Sequence, residues 1–255
     1  MTHSAAAWTA LLLVTLLLGT GCQTSKPETV STGFLFPASA GGLKHVLYVP
    51  PGYTPAKKWP CIVFLHGRGE SGTDGVKQMI QGIGSAVQWN AADWPCLIVM
   101  PQKPDANRQW EEYGDGVMAI LSDVRRRYSV DDDRVLLTGL SQGGHGTWML
   151  AAKHAGTWAA IAPICGYAKP VRPEEIASKV GNVPVWAFHG LQDDVVPPTG
   201  TTAITDQIRA ERAGKAGGAE LKVSLFEGVN HGSWDRAYRD EGLAAWLMAQ
   251  RRGTK

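Results

Sequence analysis

The sequence predicts an α/β domain built on a mostly parallel central sheet with helices on both faces. Three observations predict it. Short apolar runs recur without polar alternation, as strands buried on both faces require. Helically spaced stretches separate several of those runs, the strand–helix alternation that parallel pairing needs. The 255 residues are 44% hydrophobic and 19% charged, which suits one large domain and excludes disorder for the bulk of the chain.

Residues 43–49 alternate loosely and stop at Pro50-Pro51-Gly52, a strand ended by a turn. Continuous apolar runs follow at 61–65, 96–100, 134–138, 158–164, 183–188 and 221–226. Between them, 116–128 places Val117, Ile120, Leu121 and Val124 on one helical face. Residues 143–154 and 199–212 are the next expected helices, and a final one spans 234–251. Only 18 residues separate the strand ending at Ile164 from the one starting at Val183. That leaves no room for a large lid domain.

The N-terminus poses a separate problem. Residues 5–18 form a run of 14 without charge, short of the roughly 20 needed to span a bilayer. It fits the apolar core of an export signal. The small residues before Cys22 resemble a bacterial lipoprotein cleavage site, at which Cys22 would become the lipidated N-terminus and a membrane anchor. Gly19, where that pattern prefers Leu, and the lack of Lys or Arg ahead of the run depart from it. A plain secretory signal or a mis-assigned start is the alternative. The expected division is 1–22 signal, 23–32 polar tether (QTSKPETVST) and 33–255 domain, an exported monomer that is periplasmic or held at the cell envelope. Lys and Arg number 25 against 23 Asp and Glu, so electrostatics give no argument for nucleic acid or an anionic membrane surface as partner. Four cysteines without a CxxC exclude a disulfide scaffold and a structural zinc site.

The chemistry starts at Gly139-Leu140-Ser141-Gln142-Gly143, directly after one strand and directly before a helix. In that setting GxSxG reads as a nucleophile elbow. Ser141 has to sit on a sharp turn to lift its hydroxyl above the sheet, and flanking glycines remove Cβ atoms that would collide there. A serine hydroxyl needs a base, and the base needs an orienting acid. Later strands end in His189-Gly190-Leu191-Gln192-Asp193-Asp194 and in Glu227-Gly228-Val229-Asn230-His231-Gly232-Ser233-Trp234, and His231 is the only histidine after the candidate acids. His189 sits immediately at its strand end and is expected to make a structural hydrogen bond. His145 lies on the helix after the elbow, near enough to border the pocket. Two backbone N–H groups are needed for the oxyanion. Gln142 supplies one and the turn after 61–65 the other, at Arg68, with Gly69 as fallback.

The phrases FLHGRGESGTDG (64–75), VMPQ (99–102), LTGLSQGGHGTW (137–148), APICG (162–166), HGLQDDVVP (189–197) and HGSW (231–234) together resemble the α/β-hydrolase superfamily. More narrowly they look like its small exported branch of esterase-like proteins, the predicted-peptidase, polyhydroxybutyrate-depolymerase and feruloyl-esterase-like group, over about residues 43–250. The resemblance implies the α/β-hydrolase fold and the chain order nucleophile, acid, histidine. The acid then falls three places after the HG pair, at Asp193, with Asp194 as second choice, and His66 precedes the nucleophile and is out of order for a base. Gln142, where relatives often carry Met, and His145, where an aromatic is common, depart from the pattern.

The implied activity is a serine carboxylesterase acting on small or polymer-linked esters with Ser141, His231 and Asp193, and no metal or organic cofactor. A prolyl-oligopeptidase-type peptidase and a non-catalytic carbohydrate-binding surface lipoprotein are the competing readings. Trp110, in the loop after 99–102, is expected to offer an aromatic wall to a sugar or aryl ring, with Trp234 and His145 as further substrate contacts and Trp89 and Trp94 at the rim. In the implied strand order the strands of Cys61 and Cys96 are neighbours. Parallel neighbours seldom give disulfide geometry, so two buried thiols are expected. Cys165 reads as a small buried apolar residue.

Overall fold

The computed structural model of the protein describes residues 30–253. The expected export signal, Cys22 and most of the expected tether lie outside the described residues. Eight strands form one sheet in the order β1-β2-β4-β3-β5-β6-β7-β8. They are β1 (Gly33–Leu35), β2 (Lys44–Val49), β3 (Trp59–Leu65), β4 (Leu97–Gln102), β5 (Val130–Leu140), β6 (Ala160–Ile164), β7 (Val185–Gly190) and β8 (Leu221–Phe226). β1 and β2 run antiparallel to their neighbours; β4, β3 and β5 to β8 are mutually parallel. This is the α/β-hydrolase fold.

The continuous apolar runs are explained by parity. Successive side chains on a strand point to opposite faces, and in β3 Cys61, Val63 and Leu65 enter one core while Ile62 and Phe64 enter the other. The first core lies under α2 (Gly114–Arg127), α3 (Gln142–Lys153), α4 (Pro173–Val180) and α5 (Thr199–Arg212). The second lies under α1 (Ile83–Trp89), α6 (Trp234–Arg239) and α7 (Leu243–Ala249). Both faces of the central strands are therefore dry, and alternation has nothing to report. Among the described residues no helix is long and apolar enough to cross a membrane.

Four elements differ from expectation. β1 is three residues long and pairs only with β2, too short for a periodicity to register. α1 and α4 were not foreseen; both carry Gly or Pro at their starts and run only seven and eight residues. The expected helix at 234–251 is two helices, broken at Gly242, whose φ of 74° is left-handed. Cys61 on β3 and Cys96, just before the neighbouring β4, are free, buried thiols.

Candidate active site

The C-terminal ends of β3 and β5 to β8 meet along one edge of the sheet, and the site is built there. β5 ends at Leu140, and Ser141 turns the chain into α3 with φ 55° and ψ −116°. A non-glycine residue held there is strained, at a cost of order 1–3 kcal/mol. The turn is held by the Ser141 N–H donating to the Ile164 carbonyl, 2.9 Å, and by the first helical bond from His145 N–H to the Ser141 carbonyl. Close approach makes the glycine at 143 obligatory, because a Cβ there would collide with the Leu65 carbonyl.

Ser141 Oγ lies 2.9 Å from His231 Nε2, and His231 Nδ1 lies 2.7 Å from Asp193 Oδ2. A carboxylate only accepts, so Nδ1 carries the proton and Nε2 presents its lone pair to the hydroxyl. Asp193 Oδ1 accepts from the N–H groups of Val195 and Val196 at 2.9 and 2.8 Å. Burial pushes the Asp193 carboxyl upward, but His231 and those two N–H groups outweigh it and hold the carboxyl below its ordinary range. Asp194 is exposed and plays no part in this network. The loops bearing acid and base are joined by backbone bonds, Leu191 N–H to Phe226 and Gln192 N–H to Val229. They touch so closely at Gly190 that a Cβ would collide with the carbonyls of Val229 and Asn230.

The turn after β3 is fixed by a buried histidine. His66 Nδ1 donates to the Gly67 carbonyl at 2.6 Å and its Nε2 accepts from the Lys103 N–H at 3.1 Å. Burial drives its pKa down to about 4, so the ring is neutral and holds the loop rather than moving protons. The Lys103 side chain is itself buried, donating to Ser71 Oγ and the Asp105 carbonyl, with burial lowering its pKa to about 8. Gln142, as the first residue of α3, has an N–H with no carbonyl one turn back. Its side chain donates to the carbonyls of Ala106 and Arg108.

The expected substrate contacts need correction. Trp110 is completely buried, its Nε1 donating to the His66 carbonyl and its ring meeting His66 edge-on at 4.9 Å. It backs the turn and offers no face to a ligand. His145 is also fully buried, stacked under Tyr167 at 4.5 Å, with Nδ1 at the Tyr167 carbonyl and Nε2 3.3 Å from Glu111. Trp234 braces His231 in an edge contact at 5.4 Å and does not line the cleft. Trp94 is buried, and Trp89 is 78% exposed.

The cleft over Ser141 measures about 690 Å³. Arg68, Asn107 and Gln109 line it from the loops after β3 and β4, Tyr167 and Lys169 from the segment after β6, and Val195 to Pro197 from the loop after β7. Arg68 Nη2 donates to Asn107 Oδ1 at 2.8 Å. Tyr167, the aromatic wall, was missed; its signal was its place directly after the strand-end phrase APICG. One group among the described residues has metal-ligand proximity, Cys165, Asp193 and His231, with atoms within 4.8 Å of one another. Its carboxylate and imidazole are already spent on each other. Cys165 is buried as expected, but it lies beside the acid and base and has a positive φ of 41°.

Comparison with known proteins places the chain among esterase-type hydrolases. The sequence pattern of the Dienelactone hydrolase family matches residues 97–246. Poly(3-hydroxyalkanoate) depolymerase C of Paucimonas lemoignei is 28% identical over 152 residues, 51% of this chain and 33% of that protein. The crystal structure of a thermostable esterase superposes with a TM-score of 0.69 at 28% identity, covering 82% of this chain and 60% of the other. A feruloyl esterase module from Clostridium thermocellum, complexed with sinapinate, shares the fold at 15% identity, with a TM-score of 0.66 over 87% of this chain and 89% of that one. The chain thus spans about a third of the depolymerase and three fifths of the esterase.

Proposed function

This chain belongs to the dienelactone hydrolase family, and on that premise we propose that it is a serine esterase. Ser141 attacks the ester carbonyl while His231 takes its proton, and Asp193 holds the His231 tautomer and faces the imidazolium that forms. The N–H groups of Gln142 and Arg68 receive the oxyanion. His231 then gives its proton to the leaving alcohol, and water repeats the sequence on the acyl-enzyme. The observation that carries this reading is the unbroken line from Ser141 Oγ through His231 to Asp193, at 2.9 and 2.7 Å. Strain at Ser141 supports it.

The substrate class proposed is an ester of a small acyl group or one attached to a polymer. A cleft of about 690 Å³, uncovered by any lid among the described residues, and the likeness to a hydroxyalkanoate depolymerase support it. The apolar run at 5–18 supports export, with Cys22 as the lipid-anchoring point.

The test is hydrolysis of p-nitrophenyl acetate and butyrate by the full chain beside Ser141→Ala. Turnover by the wild type and a loss of about 10⁴-fold or more in the variant is expected. Equal rates from both, with a peptide amide cleaved instead, would replace the esterase by a peptidase.

A further inference from the structure

His189, at the end of β7, is a fully buried imidazole that the triad does not use. Its Nε2 lies 3.1 Å from Asp193 Oδ2 and 2.9 Å from the Val196 carbonyl. Both neighbours are acceptors, so Nε2 carries a proton. Its Nδ1 lies 2.7 Å from Thr201 Oγ1 on α5. Burial holds the ring neutral, outweighing the carbonyl and the Asp193 charge that favour protonation. Nδ1 is then an acceptor, and the one hydroxyl proton of Thr201 points to it rather than to the Gly166 carbonyl at 3.3 Å. The Thr201 hydroxyl thus orients His189, whose Nε2–H donates to the Val196 carbonyl and also faces Asp193 Oδ2, the oxygen that accepts from His231.

We infer that His189 is a positioning residue for the triad: its Nε2–H, bonded to the Val196 carbonyl, also faces, at 3.1 Å, the carboxylate oxygen that orients His231, and so sets the basicity of His231. Two effects follow from this one contact. The carboxylate is held with Oδ2 toward the base, since Oδ1 takes two backbone donors while Oδ2 takes the His231 N–H and faces the His189 N–H at 3.1 Å. Its negative charge is also partly spent on His189, so it stabilises the His231 imidazolium less than a carboxylate free of that donor would. Other groups face the pair: Ser141 from the elbow, Cys165 from the end of β6 and Trp234 from α6. Burial lifts the Cys165 thiol to about 12, which leaves Asp193 as the charge the imidazoles share.

The experiment follows the His231 imidazole by NMR titration in the full chain and in His189→Leu, His189→Gln and Thr201→Val. Gln can keep an N–H donor where Nε2 stood, and Leu cannot. The His231 midpoint should rise by about 0.5–1 pH unit in His189→Leu, rise less in Thr201→Val and return toward wild type in His189→Gln. On p-nitrophenyl butyrate the acid limb of kcat/KM should move the same way, with kcat down about tenfold and KM unchanged. A lost hydrogen bond of roughly 1.4 kcal/mol corresponds to that factor. An unmoved midpoint in a folded His189→Leu variant, or no recovery with Gln, overturns the inference. Should His189→Leu not fold, Thr201→Val decides, and an unmoved midpoint there overturns it. The kinetic arm rests on the esterase reading. If the wild type hydrolyses no ester that reading falls, while the titration still tests His189.

Discussion

The acid was the least certain residue of the site as read from sequence, since Asp193 and Asp194 are adjacent and equally titratable. Burial separates them. Asp193 is enclosed and takes three donors, whereas Asp194 faces solvent. Asp193→Asn is expected to lower kcat by about 10³–10⁴-fold, because the amide lets His231 settle in the wrong tautomer. Asp194→Asn should leave the rate within a factor of two. Steady-state kinetics on a p-nitrophenyl ester checks both, and the reverse pattern would move the acid to 194. Ser141, His231 and the GxSxG turn were legible because each chemistry demands one residue type at one place relative to a strand end. The aromatic candidates were not legible. Trp110 and Tyr167 both follow strand ends, and only packing decides that Trp110 turns inward to the His66 carbonyl while Tyr167 walls the cleft.

At the scale of elements, continuous apolar runs marked six of the seven longer strands, most of them covered on both faces, and loose alternation marked β2. Boundaries moved by a few residues, and the short elements escaped: β1, α1 and α4 are too brief for a period to repeat. One long-range tie was equally invisible. Arg212, in the last turn of α5, donates to the carbonyls of Gly181, Val183, Ala219 and Glu220. These carbonyls flank the starts of β7 and β8, so one guanidinium clasps the end of α4 and the entry to two strands. Nothing in the local sequence distinguishes it from the exposed Arg209, which pairs with Asp206. Arg212→Met should cost about 1 kcal/mol, since its bonds to the carbonyls of Val183 and Ala219 are partly buried and would be lost. Arg209→Met should cost less than about 0.5 kcal/mol. Urea midpoints of the two variants measure the contrast, and equal small losses would show that the clasp is idle.

For the whole molecule, the buried histidines make the fold acid-sensitive in a defined window. His66 titrates near 4 in the folded protein against an ordinary 6.5, and burial lowers His189 as well. Below pH 6.5 the unfolded chain takes up protons that the native state refuses, so stability falls as pH drops from about 6.5 toward 4. The loss from His66 alone is about 2–3 kcal/mol. Asp193 acts in the same direction at the lower end, because its folded carboxyl lies below its ordinary value. Urea unfolding at pH 7 and pH 4.5 should show the fall, and matching midpoints would rule it out. The stitching of the β7 and β8 loops, through Leu191, Gln192 and Gly190, has a different consequence. Asp193 and His231 are mounted on one platform and Ser141 on another, tied to β6 through its own N–H. A strain that parted β6 from β7 would therefore lengthen the gap between Ser141 and His231 before it disturbed His231 and Asp193.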